Sequence, residues 1–129
     1  MTASVNTGKS ASRGAPTLTG FFAVVDAWEL SDIQTCQLLK CPSVAVLRRY
    51  RLGQGPRLTP IQQKRIQLVI GIQAALARQG IKADKAFRYI HEPRPEKPFK
   101  GDTPIHFMMH GGVDALLTVA RLVSDPNAA

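Results

Sequence analysis

The sequence predicts an all-α protein. Apolar residues recur at three- and four-residue intervals in seven separate stretches, and several of these begin on a serine or threonine placed as a cap. No stretch shows convincing strand character.

The first helix is expected over roughly 19–30, where Phe21, Phe22, Val25 and Trp28 share a face. Residues 1–17 before it are mostly Ser, Thr, Ala and Gly with two basic residues. That composition buries nothing and is expected to be disordered. Ser31 followed by Gln34 is a capping box, in which each residue satisfies a backbone donor of the other. Ile33, Cys36 and Leu39 continue this second helix until Cys41-Pro42 interrupts it, because a proline disfavours helical geometry in the residue before it. Ser43 caps a third helix with Val46, Leu47 and Tyr50 at helical spacing, and Gly53 ends it.

Thr59 as cap, Pro60 in the first turn and Gln62 closing a second box start a fourth helix over about 60–79. It is apolar on more than one side, with Ile61, Leu68 and Ile72 as well as Ile66, Val69, Ile70 and Leu76, so it needs cover on two flanks. It joins the two halves or supplies a dimer seam. The fifth helix, about 82–91, carries Ala83, Ala86, Phe87 and Ile90 on one side, and Pro93 terminates it. After the loop EPRPEKPFKG, Thr103-Pro104 start a sixth helix with Ile105, Met108 and Met109 facing in. Gly111-Gly112 break the chain before a seventh, Val113 to about Val123, with Val113, Leu116, Leu117, Ala120 and Val123 as its buried stripe; Asp125-Pro126 stop it.

The chain of 129 residues has 17 Lys+Arg against 9 Asp+Glu, a net charge of +8. Ile33 to Ala83 contains no acid, whereas Lys40, Arg48, Arg49, Arg51, Arg57, Lys64, Arg65, Arg78 and Lys82 all fall inside it. Residues 101–129 reverse the sign, with one basic residue and three acids. This asymmetry points to one face for a polyanion and another end for a different partner. The length suits one compact domain or two small, intimately packed units, here a tail (1–17), a unit at 18–80 and a unit at 81–129. No apolar run is long enough for a membrane span and no signal peptide is visible, so a cytoplasmic protein with reduced Cys36 and Cys41 is expected.

Two short helices joined by a tight turn, the second bearing arginines, are the pattern of a helix-turn-helix, whose second helix enters the DNA major groove. Ser43, Arg48 and Arg49 are the candidate DNA contacts; Val44 and Ala45 offer only apolar contact to thymine methyls. Arg51, Arg57, Lys64 and Arg65 suit phosphate contact or plain surface. His106 and His110 share a helical face, but His91 is the only other histidine, and no metal site is expected. Neither cysteine has a histidine beside it in sequence, and Gly53-Gln54-Gly55 lacks the strand-helix setting of a phosphate loop. Neither an enzyme nor a cofactor is expected.

The ordered series LSDIQTCQLL, SVAVLRRYRLGQG, RLTPIQQKRIQLVIGIQAAL, KAFRYIHEP and KGDTPIHFMMHGGVDALLTVARLV resembles the Xre/MbcA/ParS antitoxins of bacterial type II toxin-antitoxin systems, over roughly residues 20–123. The resemblance implies an Xre-like helix-turn-helix packed on a small helical toxin-binding domain, and a homodimer that represses its own operon. It implies as partner a RES-domain toxin that consumes NAD by phosphorolysis or ADP-ribosyl transfer, with the antitoxin occluding its active site. The toxin-binding residues implied are Gly111, Gly112, Asp114, Leu117 and Arg121. The alternative is a stand-alone regulator whose C-terminal helices only dimerise. The chain departs from the family pattern at Tyr89, where tryptophan is usual, at Ile105 (leucine) and at His106 (often an acid). Lys40-Cys41-Pro42 stands where glycine and a valine-like residue are expected, and no glycine follows Arg121-Leu122.

Overall fold

A computed structural model describes residues 9–80 and 82–124, with side chains from 18 onward except at 83 and 84. They form seven α-helices: α1 (Lys9–Ala27), α2 (Asp32–Leu39), α3 (Val44–Arg51), α4 (Pro60–Arg78), α5 (Ala83–His91), α6 (Pro104–His110) and α7 (Val113–Ser124). The fold is all-α, and no strand occurs among the described residues. The tail at 1–8, the side chain of Ala83 and the Asp125-Pro126 stop lie outside them.

The first helix differs at both ends from its expected span. It begins at Lys9, inside the segment assigned to a polar tail. Once Phe21 to Trp28 is packed, extending the helix backward costs little per residue, whereas nucleating it alone is unfavourable. It stops at Ala27 because Glu29 adopts φ 55°, and Leu30 N–H then reaches back to Val25 O (3.0 Å) and Glu29 N–H to Asp26 O (3.0 Å). This is a Schellman ending, built here without glycine.

The caps read from the sequence are all formed. Ser31 Oγ accepts from Gln34 N–H (3.1 Å) while Gln34 Oε1 accepts from Ser31 N–H (2.9 Å). Thr59 and Gln62 repeat the arrangement at the same distances, and Thr103 Oγ1 accepts from His106 N–H (3.1 Å). At the end of α2, Lys40 takes φ 60°, the left-handed conformation usually left to glycine. The ring of Tyr50 closes on Gly55, where a Cβ would come within 2.0 Å of it.

Helix α4 lies centrally, packed on α1 along one flank and on α7 along another, with α2 at its N-terminal end. Its buried stripe is Gln62, Arg65, Ile66, Val69, Ile72, Ala75 and Leu76; Ile61 is exposed. The loop 92–103 is compact, with Arg94 N–H donating to Asp102 O (3.1 Å) and Gly101 N–H to Arg94 O (2.7 Å). Phe99 plugs it into the core, edge-on to Phe107 at 5.3 Å. In α7 the buried side chains are Ala115, Leu116, Val119 and Val123. Leu117, expected in that stripe, is 39% exposed, because it sits about 100° around the helix from Leu116. The buried residues of both halves, Phe21 through Val123, belong to one hydrophobic core.

Candidate nucleic-acid interface and the arginine junction behind it

Helix α3 buries Leu47 and Tyr50 and turns Ala45, Arg48 and Arg49 outward, with Leu52 exposed just past its end. Ser43, exposed at its start, holds the first turn by accepting from Val46 N–H (3.2 Å). The Arg48 side chain is 69% accessible and makes a 3.4 Å contact to Asp32. Arg49 donates to the carbonyl of Gln54 (3.3 Å).

Arg51 is held differently. Its guanidinium grips Asp26 of α1 with two bonds (2.7 and 3.1 Å) and stacks over Phe22 at 4.4 Å. That pairing holds the Asp26 carboxyl below, and the Arg51 guanidinium above, its ordinary range. The segment free of acids in sequence is thus not free of them in space: Asp26 and Asp32 reach it from α1 and from the start of α2. Arg57 and Lys64 are exposed.

Arg65 is no surface residue. It is 1% exposed, and among the described residues no carboxylate forms an ion pair with it. Its Nε donates to Leu38 O (2.5 Å), one terminal nitrogen to Met108 O (3.0 Å) and the other to Gly111 O (3.3 Å). These carbonyls end α2 and α6, and a helix C-terminus carries roughly half a negative charge. Two helix ends thus stand in for a counterion. Desolvation nonetheless lowers the guanidinium's pKa. Lys40 extends the cluster by donating from Nζ to Met109 O (2.8 Å), and Gln62 donates to Lys40 O (3.2 Å). The turn that introduces α3 is thereby tied to the last turn of α6. The sequence carried a signal for this junction, since Arg65 lies in register with Gln62, Val69 and Ile72 on the buried stripe of α4.

Beyond that junction the partner candidates come together. Asp114, Leu117 and Arg121 are all exposed, at spacings that place them on one face of α7, and Gly112 lies open beside them. Gly111 is tight: a Cβ there would meet that of Ala115 at 2.4 Å and the carbonyl of Phe107 at 3.0 Å. The rings of His106 and His110 lie 4.2 Å apart, tilted by 45°, and His106 bonds Asp102 at 2.6 Å, which holds that carboxyl below its ordinary range. No three metal-ligating side chains gather among the described residues. No helix of the described residues is long and apolar enough to cross a membrane.

A concavity of about 700 Å³ lies between α1 and the loop after α3, lined by Leu18, Phe22, Tyr50, Arg51 and Leu58 among others. No family model matches the chain, and no curated protein matches it.

Proposed function

We propose that the chain is a DNA-binding antitoxin: α2 and α3 form a helix-turn-helix that represses its operon, and α6 with α7 neutralises a RES-type, NAD-consuming toxin. The observation that carries the DNA half is the outward face of α3, where Ser43, Ala45, Arg48 and Arg49 stand exposed on a helix fixed from behind by Leu47 and Tyr50. Arg48 and Arg49 reach phosphates or base edges; Arg51, engaged by Asp26, orients α3 on α1. The toxin half rests on the resemblance, supported by the exposed row Asp114, Leu117 and Arg121 beside the Gly111-Gly112 break. The protein acts by occlusion and carries out no chemistry of its own in this reading, and it works in the cytoplasm as a homodimer across two half-sites.

Fluorescence anisotropy with duplex from upstream of the gene tests the first half. Arg48→Ala with Arg49→Ala should weaken binding and flatten the salt dependence by roughly 0.9 in log–log slope for each phosphate no longer neutralised. Equal affinity of the wild type for that duplex and a scrambled one would remove the repressor reading. Arg121→Glu tests the second half: it should weaken binding to the adjacent gene's product in calorimetry while leaving the duplex affinity intact. A chain that binds its operator yet leaves NAD consumption by that product untouched would instead be a stand-alone regulator.

A further inference from the structure

The turn between α2 and α3 holds a pair of thiols that neither DNA contact nor partner binding uses. A Schellman ending brings the side chain three positions before the helix cap against the one two positions after it. In α2 those positions are Cys36 and Cys41: Cys41 N–H donates to Cys36 O (2.9 Å) and Lys40 N–H to Gln37 O (3.4 Å). The Cys36 thiol donates to Cys41 O (3.6 Å), and the Cys41 thiol donates onward to Ser43 O (3.4 Å). Cys36 is buried, Cys41 half-buried, and both line one groove of about 400 Å³.

We propose that Cys36 and Cys41 form a redox-responsive dithiol, which peroxides convert to a disulfide that re-sets the α2–α3 turn. Burial, and secondly the neighbouring Cys41 thiol, push the Cys36 thiol up to about 11, so it stays protonated and inert at neutral pH until a partner sulfur is activated beside it. The more accessible Cys41 reacts first. It gives its proton to water, and its sulfur attacks one peroxide oxygen; the O–O bond breaks, and the departing hydroxide takes up a proton to become water. The resulting sulfenic acid is attacked by the Cys36 sulfur. An S–S bond forms, the S–O bond breaks, and the leaving hydroxide carries the Cys36 proton away as a second water. Two thiols lose two electrons and two protons, and the peroxide is reduced to two waters.

The disulfide removes the donor that Cys41 supplies to Ser43 O, at the residue that caps α3. It also brackets Lys40, whose Nζ reaches Met109 O. Oxidation is therefore felt both where α3 begins and where α6 ends. This inference does not depend on what α3 binds.

The test uses the full chain, reduced and then treated with hydrogen peroxide. Trypsin cuts after Lys40, between the two cysteines, so the reduced protein gives separate cysteine peptides. The oxidised protein should give one linked pair lighter by two hydrogens, from a chain still monomeric on a non-reducing gel and restored by dithiothreitol. Cys36→Ala should stall at a sulfenic acid on Cys41 that dimedone traps, and Cys41→Ser should form no link. Amide exchange at Cys41 and Val46 should quicken at least about tenfold on oxidation. Two thiols still titratable after peroxide, or links found only between chains, would overturn the dithiol. A disulfide formed with exchange unchanged would overturn the re-set turn.

Discussion

The C-terminal half of α4 meets α7 through aliphatic side chains, with Val69, Ile72 and Leu76 buried on one helix and Leu116, Val119 and Val123 on the other. The N-terminal half of the same helix meets α2 and α6 through the amide of Gln62 and the guanidinium of Arg65. Each aliphatic side chain contributes about 1.5–3 kcal/mol by leaving water, in any orientation that buries it. The guanidinium contributes only if three carbonyls stand where its donors point, since a misaligned hydrogen bond weakens steeply. One end of α4 supplies cohesion, and the other fixes how α2 and α6 sit relative to it.

That contrast can be broken by substitution. Arg65→Met keeps most of the volume but leaves the carbonyls of Leu38, Met108 and Gly111 buried without a donor. It should cost at least about 3 kcal/mol, given about 1–3 kcal/mol for each buried polar group left unpaired, read from the denaturant midpoint. Gly111→Ala acts on the same junction from its far side. The new methyl would overlap Ala115 and shift the carbonyl that Arg65 holds, so stability should fall by about 1–3 kcal/mol. Gly112→Ala, with open space around it, should stay within about 0.5 kcal/mol of the wild type. Equal losses at the two glycines would mean the break is not packed as described.

Ile72→Val probes the aliphatic end, where removal of one methylene should cost about 0.5–1.5 kcal/mol. A larger loss there than for Arg65→Met would invert the contrast. A pH-dependent effect concerns Asp26, which ties α1 to α3 from outside the core. Its carboxyl is depressed by Arg51, so its contribution is complete above the unfolded value near 3.9 and fades as pH falls through the lower folded value. Thermal scans should show wild type and Asp26→Asn converging only below about pH 4. At higher pH the gap should be modest, because the pair is partly solvated and salt screens it.

Local signals were legible in the sequence, and tertiary ones were not. Ser31, Thr59 and Thr103 announce their helices because a cap is decided within four residues. The partners of Arg65 lie 27, 43 and 46 residues away, so charge alone made it resemble surface. Arg51 and Asp26, 25 residues apart, escaped in the same way, and with them went the idea of an acid-free face. Leu117 was misplaced because a stripe of apolar residues does not reveal where its edge falls. Phe99 was hidden in a loop whose prolines and charges advertise solvent. Of the candidate DNA-facing residues, Ser43, Arg48 and Arg49 stand exposed, while Arg51 is occupied within the chain by an acid that its own stretch of sequence does not contain.

The guanidinium of Arg65 also decides how this protein can be taken apart. A fragment ending near residue 80 would keep α4 but lose the carbonyls of Met108 and Gly111 and the whole of α7. Two donors and an aliphatic flank would be stranded together. A fragment beginning after residue 80 would keep those carbonyls without their donor. Neither piece is a self-sufficient unit, so unfolding should be a single transition in which probes on α2 and α7 report the same midpoint. Activities assigned to either half are best separated by point substitution on exposed faces, because a deletion meant to remove one surface dismantles the other.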